Sequence, residues 1–327
     1  IIEFGEENEF ILFANGALKN LRNEFNDLLK RKNVIYYEWF APCPLDFYTN
    51  NQLKRHIGIY LRSYSLATIH VDLLLITSFF EGYIDNSLID IDTDICNVKQ
   101  VSIFYDLIPL LNSEKYLDPN PEFSKFYRSR INKLINLDGF LAISNSSANE
   151  AIDNLDIDPT KIVNISSACD EKIFNNNFSE ERSFTYSDIK NSPFILYTGA
   201  HDSRKNIKGL IHAYSKIESK LRSKYKLVLA GKILEPESKL LDIWIKNFNI
   251  DKNQIIKTGF ITDQGLSTLY RNCSLFIFPS FHEGFGLPVL EAMSCGSPVI
   301  GSNSTSLREV LSNEEVMFDP HDVSSIS

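Results

Sequence analysis

The sequence lacks the features that mark several large classes of protein. Its cysteines are odd in number and widely spaced, which leaves no metal-ligand spacing and favours a reducing compartment; they are Cys43, Cys96, Cys169, Cys273 and Cys295. No apolar run approaches the roughly 18–20 residues of a membrane-spanning helix. The net charge is -9 and the pI about 5.3. This acidic balance argues against a nucleic-acid-binding protein, although it leaves room for a local basic pocket.

Familiar catalytic sets are absent as well. The sequence contains no P-loop, no Ser/His/Asp or Cys/His arrangement that spacing would support, and no set of histidines typical of a metal site. Neither an initiator Met nor a signal peptide precedes Ile1. We therefore expect the chain to be a fragment or an excised domain of a longer polypeptide.

What is present is an ordinary globular composition and a regular alternation of strands and helices. The 327 residues are 43% hydrophobic and 23% charged, which suits two domains of roughly 150 residues each. Buried strands at 10–14, 34–37, 72–77, 101–105 and 139–143 alternate with helices at 17–30, 53–69, 122–135 and 148–155, and the pattern repeats after an Asn/Ser-rich stretch. The sequence predicts an α/β protein with mostly parallel sheets, in domains at 1–175 and 193–327 joined by a linker at 176–192.

The most informative stretch runs from Leu275 to Gly301 and predicts strand, loop, helix and strand. The loop contains Glu283, and the helix after Pro288 contains Glu291. Open α/β sheets bind ligands where a loop at the carboxyl end of a strand leads into a helix. The free N–H groups of that helix would favour an anion such as a phosphate.

Charged residues near this loop allow two interpretations each. Arg204 and Lys205 follow a strand and a turn at Gly199, so they could bind a diphosphate, or form a solvated surface pair. Glu283 and Glu291 could be an acid and a base, as in a glycosidase. They could instead accept hydrogen bonds from sugar or ribose hydroxyls, which we favour.

A third acidic stretch lies in the first half, at Asp90-Ile91-Asp92-Thr93-Asp94. It is similar to short metal-holding motifs of nucleotide-sugar enzymes that have a different fold. Because it lies far in sequence from the phosphate candidates, we interpret it as a solvated acidic loop.

Taken together, these motifs resemble those of the family-4 retaining glycosyltransferases. The resemblance rests on HEGFGLPVLEAMSCGSPVIGSNSTSLREV, with its two glutamates eight residues apart, and on further stretches in the same order: SFFEG at 78–82, DLIPL at 106–110, AISNSSANEAI at 142–152, YTGAHDSRKNIKGLIHAY at 197–214 and TGFITDQGLSTLYRNCSLFIFPS at 258–280. It implies the GT-B fold, in which two Rossmann-like domains with parallel sheets face each other across a cleft.

The resemblance also implies roles for individual residues. Arg204 and Lys205 would bind the donor diphosphate, and Glu291 the nucleotide ribose. Glu283 would hold the transferred sugar. Backbone and neighbouring side chains would complete the donor site, at Gly199, Gly259, Phe260, Ile261, Gly284, Phe285, Gly286 and Leu287.

The first half would bind the acceptor, with Tyr105, Asp106 and Glu81 as candidates on the acceptor and sugar side. Many members of the family have a histidine where this chain has Tyr105, which bears on sugar choice and rate. Compared with the family, we expect the first strand and glycine-rich loop to be missing before Ile1 and the C-terminal helix to be missing after Ser327.

The expected function is the transfer of a hexose, mannose by preference, from a GDP- or UDP-sugar to a saccharide or lipid-linked saccharide during surface polysaccharide synthesis. No cofactor, metal ion or nucleic acid is expected. The expected location is the cytoplasm, up to peripheral contact with the inner face of the membrane, and further domains of a longer polypeptide are candidate partners. Two alternatives remain: a catalytically degenerate binding module of the same fold, and a sugar-nucleotide epimerase.

Overall fold

A computed structural model describes residues 2, 5–18, 21–49, 51–177, 189, 192–199 and 202–327, without the side chain of Leu21. Most of the linker predicted at 176–192 lies outside these residues. Within them, none of the helices has the length and apolar content that a membrane span would need.

Strands and helices alternate through the first half of the chain. The strands are β1 Phe10–Asn15, β2 Val34–Trp39, β3 Leu73–Ile76, β4 Lys99–Phe104, β5 Gly139–Ala142 and β6 Ile162–Asn164. The helices are α1 Leu21–Glu24, α2 Gln52–Ile69, α3 Ile108–Leu111, α4 Ser113–Tyr116, α5 Pro121–Leu134 and α6 Asn145–Leu155, with 3-10 turns at Leu28–Lys30 and Pro159–Lys161.

The second half repeats this alternation. Its strands are β7 Phe194–Thr198, β8 Lys226–Ala230, β9 Ile255–Lys257, β10 Leu275–Phe278, β11 Val299–Ser302 and β12 Met317–Phe318. Its helices are α7 Ile207–Lys216, α8 Ser219–Lys224, α9 Glu235–Asn247, α10 Asp263–Asn272, α11 Leu287–Ser294, α12 Leu307–Leu311 and α13 Val323–Ile326, with 3-10 turns at Ser203–Lys205, Lys252–Gln254 and Glu314–Val316.

The strands form parallel sheets, which confirms the predicted α/β class. A six-stranded sheet has the order β12-β11-β10-β7-β8-β9, a four-stranded sheet has the order β3-β4-β5-β6, and β1 pairs with β2. In the large sheet β7 and β10 are neighbours. The chain leaves β7 toward β8 but leaves β10 toward β11, so this is a topological switch point, where open sheets form a ligand crevice.

The chain divides into two compact units. The first comprises residues 1–104, 109–141 and 157–163, and the second comprises 105–108, 142–156 and 164–327. Two segments from the first half of the sequence, which carry Asp106 and α6, therefore belong with the second unit. The domain boundaries at 175 and 193 stay a prediction.

The core of the second unit is built on the large sheet. Leu227, Val228, Leu229 and Ala230 of β8 are all buried in succession, as expected of a strand covered by helices on both faces. Phe276 and Phe278 of β10 are likewise buried. This rigid core fixes the ends of β7 and β10, from which the candidate site emerges.

Two expectations are wrong in the first unit. The helix expected at 17–30 is reduced in the described residues to α1 and a 3-10 turn, in a stretch whose Asn23, Asn26 and Asp27 have low intrinsic helix propensity. The acidic stretch at 90–94 is not uniformly solvated. The side chain of Asp90 is 9% exposed and pairs with Arg55, Arg130 and Lys133.

Candidate functional site

Two loops of the second unit begin at the switch point of the large sheet. Gly199 follows β7 with φ +148°, and the side chain of Asp202 then accepts a hydrogen bond from the Arg204 N–H at 2.9 Å. This cap starts the 3-10 turn that carries Arg204 and Lys205. The second loop follows β10 and ends at Gly286, immediately before α11.

Glu283 joins the two loops. Its Oε1 lies 2.6 Å from Lys205 Nζ, and its Oε2 lies 2.8 Å from Arg204 Nη1. The backbone reinforces this pairing, because Arg204 Nη1 donates to the His282 carbonyl at 3.0 Å and the Phe281 N–H donates to the Arg204 carbonyl at 2.7 Å. The structure thus brings together the three side chains for which the sequence predicted catalytic roles.

This ion cluster is partly shielded from water, with the Arg204 side chain 23% exposed. Glu283 is 7% exposed, and Lys205 Nζ lies 4.9 Å from the centre of the Phe278 ring. Burial lowers the pKa of Lys205, an effect that the Glu283 carboxylate opposes. Two cations face two carboxylates here, because Arg204 Nε also lies 3.5 Å from Asp202 Oδ2. An anionic ligand would therefore compete with these carboxylates for the cations.

The loop backbone around Glu283 is held from several sides. The Glu283 N–H donates to Thr305 Oγ1 at 3.1 Å, and Ser306 Oγ donates to the Glu283 carbonyl at 2.8 Å. Ser144 Oγ, at the start of α6, donates to the Gly284 carbonyl at 2.7 Å. These contacts hold the backbone that carries the Glu283 carboxylate.

Two glycines of this loop are required by close packing. A Cβ on Gly284 would lie 2.7 Å from the Tyr105 carbonyl oxygen, and one on Gly286 would lie 2.5 Å from Leu307 Cδ2. Gly286 also has φ +106°, a conformation that side chains other than glycine's rarely adopt. The loop therefore reaches the first turn of α11 by a path that only glycine permits. Phe285 is half-buried and Leu287 is exposed beside these glycines.

Asp106 lies next to Gly284, in a buried polar group that the sequence did not reveal. Burial raises the pKa of Asp106, and Glu150 adds to this, whereas the Ile108 N–H, Arg204 and His282 oppose it. Glu150 Oε1 lies 2.7 Å from His282 Nε2. Glu150 belongs to α6, and its local sequence gives no sign of this pairing, since the two residues are 132 positions apart.

Glu291 has a different partner from Glu283. The Tyr270 hydroxyl donates to Glu291 Oε2 at 3.1 Å. Burial raises the pKa of Glu291, although this hydrogen bond works against the rise. Separate partners fit the favoured interpretation, in which the two carboxylates bind hydroxyl groups at different points of a ligand. Tyr270 was not identified from the sequence.

The remaining donor-site candidates lie at the same edge of the large sheet. Gly259 has φ +71° and forms a bridge with Gly231, which follows the neighbouring strand β8. Phe260 is 75% exposed, so its ring is available to a flat ligand group. Ile261 packs partly into the core of the second unit.

The acceptor-side candidates Tyr105 and Glu81 lie in different units of the chain. The Tyr105 side chain is 47% exposed, and its carbonyl accepts a hydrogen bond from Ser147 Oγ at 2.6 Å. Glu81 belongs to the first unit, where its Oε1 accepts from Ser78 Oγ at 2.8 Å. Across the described residues, no group of three or more His, Cys, Asp or Glu side chains could hold a metal ion.

Sequence and structure comparisons agree with this architecture. A family model described as "Glycosyl transferases group 1" matches residues 179–327. The serotype-specific mannosyltransferase WbdA of Escherichia coli is 38% identical over 333 residues, which cover all of this chain and 41% of that protein. The O-antigen chain mannosyltransferase B of the same species is 41% identical over 134 residues, or 41% of this chain and 35% of that protein.

Among solved structures, HepE of Anabaena in complex with UDP has a TM-score of 0.66 at 18% identity, over 99% of this chain and 81% of that one. At this identity the likeness shows the fold. The chain spans about two fifths of the length of WbdA. The conclusion from sequence, fold and comparisons together is that the chain has the GT-B fold of glycosyltransferases and that its residues 179–327 match the group 1 glycosyl transferase family.

Proposed function

We propose that the chain catalyses the transfer of a hexose, mannose by preference, from a nucleotide-sugar to a saccharide or lipid-linked saccharide with retention of anomeric configuration. The observation that carries this proposal is the partly buried cluster of Arg204, Lys205 and Glu283 at the switch point. Support for the sugar comes from the 38% identity with WbdA, which is a mannosyltransferase by name. The process would be the synthesis of a surface polysaccharide.

The donor would be a GDP- or UDP-sugar. Its diphosphate would bind Arg204 and Lys205, with Arg204 as a planar fork and Lys205 as a point charge. Glu291 would accept hydrogen bonds from the ribose hydroxyls, and Glu283 with the backbone of 284–287 would bind the hexose. Gly199 and the 259–261 segment would border the nucleotide. HepE, of the same fold, has been solved with UDP and with UDP-glucose.

The reaction would need little covalent chemistry from the protein. The bond between the anomeric carbon and the diphosphate oxygen breaks, and the acceptor hydroxyl oxygen bonds to the same face of that carbon. The hydroxyl proton passes to the leaving phosphate oxygen. Orientation of the two substrates and stabilisation of the departing diphosphate by Arg204 and Lys205 would then supply the rate enhancement without a metal ion.

Location and partners follow from this chemistry. Nucleotide-sugars are cytoplasmic substrates, so we propose that the chain acts in the cytoplasm, at the inner face of the membrane when its acceptor is lipid-linked. Further domains of a longer polypeptide would be its protein partners. Tyr105, Asp106 and Glu81 would lie on the acceptor or sugar side.

A donor screen on the full-length protein tests the proposal. The protein is incubated with GDP-mannose, UDP-glucose, UDP-galactose or UDP-N-acetylglucosamine and a mannose-terminated oligosaccharide, and products are identified by mass spectrometry. We expect acceptor extended by one hexose with GDP-mannose. Nucleotide binding without transfer or hydrolysis would instead support a binding module, and an altered sugar with free nucleotide but no extended acceptor would support an epimerase.

A further inference from the structure

A concave pocket of about 490 Å³ lies within the first unit, between the beginning of α2 and the length of α5. This volume is in the range of small-molecule sites. Its lining combines basic, aromatic and amide side chains, including Tyr48, Arg55, Lys125, Phe126, Arg130 and Lys133. None of the residues for which the sequence predicted a role lies in it.

The charges in the pocket do not balance. Among the described lining residues, Arg55, Lys125, Arg130 and Lys133 are cationic, whereas Asp90 and Glu122 are anionic. Asp90 alone pairs with three of the cations, at 3.3 Å for Arg55 Nη2 and 2.8 Å for both Arg130 Nη1 and Lys133 Nζ. The pocket therefore carries an excess of positive charge, which an anionic ligand would neutralise.

Arg130 is the most buried of these cations. Its side chain is 2% exposed, and its Nε is buried without a hydrogen-bond partner among the described residues. Burial lowers the pKa of Arg130, and Asp90 opposes that effect. Arg130 therefore adds its charge to the positive potential of the pocket, whereas Lys125 and Lys133 are the cations exposed to a ligand.

The rest of the lining suits a sugar. The half-buried Phe47 and the exposed Tyr48 contribute accessible aromatic surface, and Asn51, Gln52 and Ser129 contribute hydrogen-bonding groups. Aromatic faces stack on the apolar side of a pyranose ring, while amides and hydroxyls bind its hydroxyl groups. A pocket for an inorganic anion alone would need neither feature.

We infer that this pocket binds a phosphorylated saccharide, with the phosphate near Lys125 and Lys133 and the sugar against Phe47 and Tyr48. Its use in catalysis rests on the proposed function: the pocket would take the phosphate-bearing end of the acceptor. Binding itself does not depend on that function, so the two can be tested apart.

Binding is measured by isothermal titration calorimetry on the full-length protein, with saturating GDP or UDP present to occupy nucleotide sites. The probes are α-mannose 1-phosphate, mannose and inorganic phosphate. We expect the phosphorylated sugar to bind at least ten-fold more tightly than either other probe. In the double variant Lys125→Gln, Lys133→Gln its Kd should rise at least ten-fold, and Lys125→Gln alone should give part of that rise. Arg128→Gln, an exposed charge on α5 outside the pocket, is the matched control and should change Kd less than two-fold.

Other results would overturn the inference. Equal affinity for mannose and its phosphate would show that the cations do not bind the anion. If inorganic phosphate bound as tightly as mannose 1-phosphate, the pocket would recognise the phosphate alone and not the sugar. An equal loss in Arg128→Gln would show a non-specific charge effect. If hexose transfer fails while the pocket binds as expected, only the proposed function is contradicted.

Discussion

The carboxylate of Glu283 lies 2.6 Å from the ammonium of Lys205, across 78 positions of the chain. Because Arg204 contacts the other carboxylate oxygen at 2.8 Å, one acidic residue pairs with two partly buried cations. A diphosphate that binds these cations would have to share them with Glu283. Because Glu283 and a diphosphate would compete for the same two cations, substitution of each residue should have a different effect on ligand binding.

Lys205→Ala should reduce activity far more than stability. Arg204 still pairs with Glu283 after the change, so no carboxylate is left without a partner. Removal of one group that stabilises departing charge typically costs about 100-fold or more in turnover. Steady-state kinetics and thermal unfolding measure the two effects. Unfolding of the variant, with donor binding intact, would support a structural role instead.

Glu283→Gln should separate nucleotide binding from transfer. The amide cannot neutralise Arg204 and Lys205, so the free energy of unfolding should fall by about 3 kcal/mol, as for a buried ion pair that loses one partner. The freed cations should bind GDP or UDP at least as tightly as before, while transfer falls at least 100-fold. Weaker nucleotide binding together with unchanged transfer would exclude this assignment.

Glu291→Ala should weaken nucleotide binding whatever sugar is attached. The carboxylate would otherwise accept hydrogen bonds from the ribose, and charged hydrogen bonds contribute about 1.5–3 kcal/mol each. The expected loss is therefore ten-fold or more in GDP or UDP affinity, measured by calorimetry. Tyr270→Phe is the control, because it removes the Tyr270 hydrogen bond at Oε2 but leaves the carboxylate. Unchanged affinity in Glu291→Ala would argue against a ribose role.

Gly284→Ala should disturb the Glu283 loop. The added Cβ would lie 2.7 Å from the Tyr105 carbonyl and 3.2 Å from Asp106, and overpacking of this kind costs about 1–3 kcal/mol. Gly139→Ala, where the nearest atom is 3.4 Å away, is the control and should cost less. Chemical denaturation compares the two variants. Equal stability would show that the loop is free to shift.

Asp90→Asn should destabilise the first unit in a pH-dependent way. Burial alone would raise the pKa of Asp90, but Arg130, Lys133 and Arg55 outweigh it and hold the pKa below its ordinary value of 3.8. A lowered pKa stabilises the fold above the unfolded pKa, and this contribution is lost as the pH falls through the folded pKa. Wild type should exceed Asp90→Asn by about 3 kcal/mol at pH 7. The difference should shrink below pH 3.8, and a constant difference would contradict the electrostatic explanation.

The sequence revealed the parts of the site that local patterns encode. Continuous apolar runs predicted β7, β8 and β10, and the loops after β7 and β10 could be recognised from their glycines and charges. The pairing of Glu283 with Arg204 and Lys205 could not be read locally, because it depends on β7 and β10 being neighbours in the sheet.

The burial of Asp90 escaped prediction for a similar reason. Its cationic partners lie on α2 and α5, so the stretch looks solvated until those helices pack around it. Glu150 and His282 likewise meet through the fold, with no shared motif. The failed helix at 17–30 differs in kind, because the low helix propensity of its asparagines is a local property of the sequence.

The anomeric configuration of the product tests the central claim most directly. Proton NMR would follow full-length wild type and Glu283→Gln with GDP-α-mannose and a mannose-terminated acceptor. We expect wild type to form a new α-mannosidic bond from the first turnovers and to release GDP in equal amount, and Glu283→Gln to form almost none. A β-linked first product would contradict retention, and an equal rate in both proteins would contradict the role of the Glu283 cluster.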